Sequence, residues 1–451
     1  MSLRASNPAL RADNSTLEDL AQVMPKNCES KEGTLHLAGV DLFKLAKELG
    51  TALYVYDEDM IESNILRYKQ GLESKLPSAQ VCYASKAFIC KDLLKMLARH
   101  GLYLDVCGGA EIYMAQLTGF PTENLVFHGN NKTPQEIREA IDAGVGKFVV
   151  DTKEELDRIS EAAYEMGVNQ KVLLRITPGI VADTHSFIQT GSEDSKFGFT
   201  IAHDTAKDAV AHALSLPHLK LMGFHMHIGS QIFNLEGYSQ AISVMVDFIK
   251  DIYEQMDYLP EEFDVGGGLG IAYTVHDKPT SIEQFCDYIG DELLKGFNEA
   301  GLELPKIYIE PGRSIIGNAG ITLYSVGSVK EIPGVRTYVN VDGGMSDNIR
   351  TALYGAEYEG VIVNKADELR SELVTVAGKH CESGDVLIVD GSLQEAEVGD
   401  VLAIFATGAY CESMSSNYNM QTRPAVVFVR VGSYHTVKRR ETYKDLLARE
   451  L

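Results

Sequence analysis

Between about residues 80 and 310 the sequence repeats one pattern, in which a short apolar β-type run is followed by loop residues and then by a helix-like stretch. Eight alternating units predict a closed parallel (β/α)8 TIM-like barrel, although a doubly wound sheet would show the same alternation. Unusual polar and glycine-rich motifs follow the C-terminal ends of several runs, and this favours the barrel. The eight apolar runs are Val81–Ala84, Tyr103–Val106, Leu125–His128, Phe148–Val150, Lys171–Ile176, Leu221–His225, Phe263–Val265 and Ile307–Glu310.

Beyond residue 315 the helical pattern gives way to short β-type segments separated by turns. The sequence therefore predicts a barrel over residues 51–314 and a mostly β domain over 315–451. Strand-like residues near Thr34–Leu37 lead us to expect that residues 31–50 join the C-terminal β domain. Residues 1–30 lack periodicity, which predicts a loose arm. The C-terminal β-type segments are Thr337–Val341, Gly360–Val363, Val386–Ile388, Val401–Phe405 and Ala425–Val431.

The charge balance and the cysteines exclude several kinds of partner and location. The chain has 64 acidic and 41 basic residues, a formal net charge of -23, so phosphate polymers and anionic membranes would be repelled. Its seven cysteines are scattered, without the paired spacing of a zinc site or a disulfide framework, so we expect no metal centre and a reducing cytoplasm. Because no apolar run approaches the ~20 residues of a membrane helix, we expect neither secretion nor anchoring.

Four short motifs far apart in the chain carry the chemistry. They are Tyr-Ala-Ser-Lys (83–86), His-Ile-Gly-Ser (227–230), Gly-Gly-Gly-Leu-Gly (266–270) and Glu-Pro-Gly-Arg (310–313). Each alone has a common structural explanation: a surface lysine, a core histidine, a tight glycine turn or an acid-Pro-Gly turn. Together they supply an amine, a flat ring, a turn that cradles phosphate and a carboxylate beside an arginine. Those are the parts needed to hold pyridoxal phosphate.

Each motif predicts one contact to that cofactor. Lys86 emerges from a buried strand, where a partly desolvated amine is nucleophilic enough to form an imine. Glu310 would face the pyridine nitrogen and keep it protonated, and the turn at Gly266–Gly268 would bind the phosphate with its free backbone N–H groups. Alternation puts His225 and His227 on one side of the chain. His227 is the better candidate for stacking on the ring, because Gly229 and Ser230 follow it.

On these motifs the chain resembles the fold type III, alanine-racemase-like decarboxylases that use pyridoxal phosphate, and within them the diaminopimelate decarboxylase family, from about residue 35 to 430. The resemblance implies that Lys86 is the Schiff-base lysine, that His227 stacks on the ring and that Glu310 pairs with the pyridine nitrogen. It also implies a group of residues around the cofactor phosphate: Ser230, Gly267, Gly268, Gly312, Arg313 and Tyr410.

Three segments of the second half sharpen the resemblance: residues 341–355, 381–385 and 408–419. They imply a substrate that is an amino acid at both ends. Arg350 and Tyr354, with Arg313 and Tyr410, would bind its distal carboxylate, and Glu382 would meet its distal ammonium. An arginine fork suits a carboxylate, and a lone carboxylate suits an amine.

The resemblance further implies a homodimer with shared active sites, in which Cys381 enters from the partner subunit and donates a proton after carbon dioxide leaves. Acidic neighbours of Cys381 should keep its thiol protonated. The implied reaction is decarboxylation of meso-2,6-diaminopimelate at its D-configured centre to give L-lysine, the last step of lysine biosynthesis. We expect Cys28, Cys82, Cys90, Cys107 and Cys286 to be inert, buried residues.

Other activities on the same fold remain open at this point. A related decarboxylase would act on ornithine, lysine or arginine, of D- or L-configuration, or on carboxynorspermidine. Two further classes are an amino-acid racemase and a noncatalytic cofactor-binding protein. A racemase needs two bases on opposite faces of the substrate Cα, and the noncatalytic proteins with this barrel lack the β domain. Two departures from the family pattern, Cys411-Glu412 and the stretch Asn419–Pro424, bear on the shape of the pocket wall and on substrate choice.

Overall fold

The structure, a computed structural model, describes residues 11–180 and 195–451. They form two compact units. The barrel unit comprises Asn64–Gly270 and Pro279–Ser314, and the β unit comprises the chain up to Ser63, Ile271–Lys278 and Ile315–Leu451. None of the helices in the described ranges is long and apolar enough to cross a membrane.

The β unit begins within the range for which a loose arm was predicted. After a 3-10 turn at Glu18–Leu20, the chain forms β1 (Cys28–Lys31), β2 (Thr34–Leu37), β3 (Val40–Asp41), helix α1 (Leu42–Leu49) and β4 (Leu53–Asp57). Leu20 and Val23 are fully buried in a core of this unit. The prediction of a loose arm is therefore wrong from about Leu17 onward, because these apolar residues are too few to give a periodic signal. Residues 1–10 of that arm lie outside the described residues.

The barrel predicted from the eight apolar runs is confirmed. All of its strands are parallel, and the last pairs with the first to close the ring. Each predicted run overlaps one observed strand, and an additional short strand, β10, pairs with β9 outside the ring. The strands are β5 (Gln80–Ala84), β6 (Tyr103–Val106), β7 (Leu125–Phe127), β8 (Lys147–Val150), β9 (Gln170–Thr177), β10 (Phe199–Thr200), β11 (Leu219–His225), β12 (Glu262–Asp264) and β13 (Lys306–Ile309).

Helices connect these strands and begin and end at capping residues. Thr133 and Glu136 form a capping box with Pro134 in the first turn, and Gly167 ends another helix in the left-handed conformation. Short 3-10 helices lie at Ser85–Ala87, Thr122–Asn124 and Ala202–Asp204. The α-helices are α2 (Glu58–Glu73), which begins in the β unit, α3 (Lys91–Arg99), α4 (Gly109–Thr118), α5 (Pro134–Asp142), α6 (Lys153–Met166), α7 (Thr205–Ser215), α8 (Glu236–Met256), α9 (Ile282–Ala300) and α10 (Arg313–Ile316).

The rest of the β unit is a mixed sheet, which agrees with the predicted β domain. Its strand order is β18-β17-β15-β14-β4-β20-β21, with β19 paired to β14 and β16 paired to β19. Strand β4 was predicted to belong to the barrel but lies between β14 and β20 in this sheet. The remaining elements are β14 (Gly320–Ile332), β15 (Arg336–Val341), α11 (Arg350–Tyr354), β16 (Gly360–Ile362), β17 (Glu372–Ala377), β18 (Val386–Leu393), β19 (Val401–Ile404), β20 (Ala425–Arg430), β21 (Ser433–Lys438), α12 (Tyr443–Leu446) and 3-10 helices at Val363–Lys365, Glu412–Met414 and Tyr418–Met420.

Candidate active site

The predicted lysine lies at the C-terminal end of β5, in the 3-10 helix that follows this strand. Its side chain is 47% exposed, and its Nζ is 2.5 Å from Oδ2 of Asp105, which lies in β6 and is completely buried. A buried carboxylate below a partly exposed amine holds that amine in the mouth of the barrel. Asp105 was not identified from the sequence, because an aspartate inside an apolar strand gives no motif.

Cys107 was predicted to be a buried, inert residue, and this prediction is wrong in part. The residue is exposed, and its Sγ is 3.5 Å from Oδ1 of Asp105, the carboxylate that pairs with Lys86. Its sulfur is nevertheless enclosed by neighbouring atoms, and this burial together with the charge of Asp105 raises the pKa of the thiol. A thiol that stays protonated is a poor nucleophile. Of the other four cysteines in that prediction, Cys82, Cys90 and Cys286 are buried and Cys28 is partly buried.

Glu310 follows β13 and lies at the centre of a buried polar cluster. Its Oε1 is 2.7 Å from Nε2 of His128, and its Oε2 is 2.9 Å from Nε2 of His225. Burial alone would raise the pKa of Glu310, but the two imidazoles hold it well below its usual range. Glu310 is therefore an ionised carboxylate inside the barrel mouth. His128 also lies 3.9 Å from Oδ1 of Asp105, which connects this cluster to Lys86.

The ring of His227 lies beside the glycine turn. Burial of the imidazole, with the positive charges of Arg175 and Lys86, lowers its pKa well below the usual value, so the ring is neutral. A Cβ at Gly266 would lie 3.0 Å from Nδ1 of His227. The structure therefore brings a flat, uncharged ring next to the predicted phosphate turn.

The glycine turn after β12 is possible only because two of its residues lack a side chain. A Cβ at Gly267 would lie 1.9 Å from the backbone oxygen of Glu310. Gly268 has a φ of +124°, and a Cβ there would lie 2.4 Å from the backbone oxygen of Gly229. The turn thus lies directly against the segments that carry the acid and Ser230.

Ser230 and Arg313 meet at the same end of the barrel, with NH2 of Arg313 3.0 Å from Oγ of Ser230. Gly312 packs against β5, since a Cβ there would lie 2.9 Å from Cβ of Ala84. A hydroxyl, a guanidinium and backbone N–H groups form a suitable set of donors for a phosphate. The barrel residues therefore fit pyridoxal phosphate: an amine, a buried ionised carboxylate, a neutral ring and a glycine cradle converge at one mouth.

The β unit contains a second group of predicted residues, around Arg350. This arginine is 6% exposed, and its NH1 donates to the hydroxyl of Tyr273 over 2.9 Å. Its guanidinium lies 4.9 Å from the ring centre of Tyr273 and 5.9 Å from that of Tyr354. The Nε–H is buried and has no hydrogen-bond partner within the described ranges. An unsatisfied buried donor on a cation is suited to bind an anionic group.

The departure at Cys411 and Glu412 is packed within the β unit. Cys411 is buried, with its Sγ 3.8 Å from the hydroxyl of Tyr358. Glu412 accepts hydrogen bonds from Nζ of Lys438, at 2.8 Å from each carboxylate oxygen. Tyr410, one residue before this pair, is half-buried and adopts a left-handed backbone with φ +60°.

Cys381 and Glu382 are exposed on a short loop that the buried carboxylate of Asp385 organises. One Asp385 oxygen accepts from the backbone N–H of Met345 over 2.6 Å, and the other from that of His380 over 2.8 Å. Asp385 thus joins the loop of the predicted proton donor to the Gly-Gly-Met turn of the 341–355 segment. Its role was missed from the sequence, which shows only an acidic neighbour of Cys381.

Comparison with known proteins identifies the family. Residues 60–317 match the family described as pyridoxal-dependent decarboxylase, pyridoxal binding domain. The diaminopimelate decarboxylase of Bacillus subtilis (strain 168) is 45% identical over 423 residues, covering 94% of this chain and 96% of that protein. The diaminopimelate decarboxylase of Mycobacterium tuberculosis (strain H37Rv) is 42% identical over 450 residues, covering 97% of this chain and 100% of that protein.

A solved structure agrees with these relatives. The crystal structure of the diaminopimelate decarboxylase of M. jannaschii in co-complex with L-lysine superposes with a TM-score of 0.88 at 35% identity, covering 94% of this chain and 98% of that one. The similarity therefore extends over both the barrel unit and the β unit.

Proposed function

The chain belongs to the pyridoxal-dependent decarboxylases, and from that membership we propose that it decarboxylates meso-2,6-diaminopimelate at its D-configured centre to give L-lysine and carbon dioxide. The observation that carries this proposal is the match to diaminopimelate decarboxylases at 42–45% identity over more than nine-tenths of the chain. Such coverage includes the barrel residues that suit the cofactor and the β-unit residues that suit the substrate.

The cofactor proposed for this reaction is pyridoxal phosphate, held by residues of the barrel mouth. Lys86 would link to it, His227 would face its ring, Glu310 would pair with its ring nitrogen, and Ser230, Gly267, Gly268, Gly312, Arg313 and Tyr410 would surround its phosphate. When bound, the cofactor supplies a carbonyl group that links to amines and an electron-poor ring that accepts the electron pair of the broken bond.

We assign substrate recognition to residues whose charges complement the distal carboxylate and the distal ammonium of the substrate. Arg350 has a buried Nε–H that no described residue satisfies, and it would bind the distal carboxylate together with Tyr354, Tyr410 and Arg313. Glu382 is exposed on its loop and would meet the distal ammonium. These contacts would orient the substrate so that the scissile bond is aligned for cleavage.

Cys381 is the proposed proton donor to Cα, acting across the interface of a homodimer. The exposed side chains of Tyr418 and Met420 flank Asn419, whose side chain contacts the Cys381 loop, and they support a second copy of the chain covering this surface. We place the enzyme in the reducing cytoplasm, where seven free thiols, all within the described residues, are stable.

A substrate panel tests the proposal. Release of carbon dioxide from meso-diaminopimelate is compared with that from D- and L-lysine, D- and L-ornithine, L-arginine and carboxynorspermidine, each with cofactor-saturated protein. We expect kcat/KM for meso-diaminopimelate to exceed the others by at least roughly 100-fold, because only this substrate satisfies both the arginine and the acid. Preference for a substrate without a distal carboxylate would overturn the substrate assignment and leave the decarboxylase family in place.

A further inference from the structure

Two histidines contact the carboxylate of Glu310, one at each oxygen. His128 follows β7, and His225 is the last residue of β11, so the two rings reach Glu310 from different strands of the barrel. Their Nε2 atoms lie 2.7 and 2.9 Å from the two oxygens, and the ring centres are 5.0 Å apart in an edge-to-face arrangement. All three side chains are at least nine-tenths buried. Neither histidine was among the predicted cofactor residues.

The hydrogen-bond geometry determines which ring nitrogens carry protons. A carboxylate oxygen accepts, so Nε2 of His225 must donate to Glu310. Nε2 of His128 makes a close polar contact with the other oxygen, which is not aligned as a hydrogen bond. Nδ1 of His225 is buried and has no partner among the residues that the structure describes. A second proton there would be a buried, unsatisfied donor, which is costly. The proton that His225 directs at Glu310 is therefore the one on Nε2.

The groups facing this cluster keep the negative charge on Glu310. Asp264, at the end of β12, is also buried, and burial together with the charge of Glu310 raises its pKa well above the usual value. A second negative charge beside Glu310 is therefore disfavoured at Asp264. Asp105 faces the cluster from β6 and pairs with Lys86, and Arg175 faces it from β9. Glu310, unlike Asp264, has an imidazole nitrogen against each of its two oxygens.

The loop that carries His128 is itself fixed by a buried lysine. Nζ of Lys132 donates to the backbone oxygens of Gly129 and Val149 over 2.8 and 2.7 Å, and to Glu155 over 2.6 Å. All three of its hydrogen atoms are thereby used. His128 thus has little freedom to leave Glu310.

We propose that His128 and His225 are positioning residues that hold Glu310 ionised and correctly oriented, and that they thereby determine whether the ring nitrogen of bound pyridoxal phosphate carries a proton. This inference rests on the proposed function, because it assumes that Glu310 meets that nitrogen. Removing either imidazole makes the buried charge on Glu310 less stable, so the proton shared between acid and ring moves toward the acid.

The test compares His225→Leu, which has no donor, with His225→Gln, whose amide can donate from a similar position. The same pair is made at His128. Each protein is loaded with cofactor labelled with 15N in the ring, and the 15N chemical shift reports the protonation of that nitrogen without any turnover. We expect the leucine variants to shift toward the unprotonated value and to bind pyridoxal phosphate roughly 10-fold more weakly. The glutamine variants should stay close to the wild type.

His212→Asn is the matched control, since His212 pairs with Asp157 on the outside of the molecule. Circular dichroism and thermal melts confirm that each variant is folded. An unchanged 15N shift in a folded leucine variant would overturn the inference, as would equal effects of leucine and glutamine. These outcomes differ from a failure of the proposed function, in which wild-type protein would not bind the cofactor or release carbon dioxide.

Discussion

The backbone N–H of Cys381 donates a hydrogen bond to Oδ1 of Asn419 over 3.3 Å. The same oxygen lies 3.3 Å from Nδ1 of His380, whose Nε2 is 2.8 Å from Oγ of Ser346. Asn419 begins the stretch that departs from the family pattern, and it adopts a left-handed backbone with φ +51°. The unusual segment thus positions the loop of the proposed proton donor.

Asn419→Ala should lower kcat for decarboxylation roughly 10-fold with little change in cofactor affinity, because the Cys381 loop loses its anchor. Asn419→Asp keeps the acceptor and tolerates the left-handed backbone, so it should retain most activity. Steady-state kinetics and cofactor titration measure both effects. Asn340→Ala, which removes an exposed contact to Ser328, is the control. Equal kcat in all the proteins would show that Asn419 has no role in positioning.

Subunit mixing tests whether Cys381 acts across a dimer interface. Lys86→Ala and Cys381→Ala are each expected to be inactive alone. Random exchange gives half heterodimers, each with one intact site if the sites are shared, so activity should return to about one quarter of wild type. Carbon dioxide release after verified exchange is the measurement. A mixture that stays inactive despite formation of heterodimers would place both residues in the site of one subunit.

Gly267→Ala should abolish cofactor binding or destabilise the protein by about 1–3 kcal/mol, because the new Cβ would lie 1.9 Å from the backbone oxygen of Glu310. Gly108→Ala is the matched control, since a Cβ there meets nothing within 4 Å and its φ of -158° is ordinary. Fluorescence titration with pyridoxal phosphate and a thermal melt measure the two effects. Wild-type behaviour of Gly267→Ala would mean that the turn relaxes without cost.

The stability of the β unit should depend on the ionisation of Asp347. Burial raises the pKa of this carboxyl from 3.8 to about 6, so folding favours its protonated form. The free energy of unfolding therefore falls as the pH rises from about 4 to about 6, and it does not recover above pH 6. Asp347→Asn removes this dependence.

Relative to wild type, Asp347→Asn should gain on the order of 1 kcal/mol in free energy of unfolding between pH 5 and pH 8, measured by urea denaturation. The comparison uses the change with pH, because the substitution also disturbs the bond from the backbone N–H of Gly344 at every pH. Asp367→Asn, at an exposed position, should show no such trend. A difference between wild type and Asp347→Asn that is constant with pH would contradict the prediction.

Much of the fold could be predicted because barrel strands are buried on both faces and give continuous apolar runs, as in β7. Strand β14 was missed from the sequence. Its second half, from Gly327 to Glu331, lies along β15 and exposes both polar and apolar side chains to solvent. Such a segment lacks both an apolar run and a clear alternation. Strand β4 was assigned to the wrong unit, because its pairing partners lie far away in sequence.

Site residues could be predicted from the sequence where a reactive residue type stands in a short motif at the end of a strand. Lys86, Glu310 and the glycine turn each stand in a short motif at the end of a strand. Asp105 and His128 contact Lys86 and Glu310, which are remote in sequence, and Asp385 joins its own loop to the remote Met345, so no short motif reveals their roles. Tertiary packing determines which buried polar residues contact the site, and the sequence pattern does not show that packing.

The central position of β4 has a consequence for biosynthesis. This strand is made before the barrel sequence, whereas both of its neighbours, β14 and β20, are made after it. Until then its edges have no native partner, and pairing across such long sequence separations is slow. The nascent chain therefore carries an open β edge while the whole barrel is being made, which is the period when chaperones would protect it.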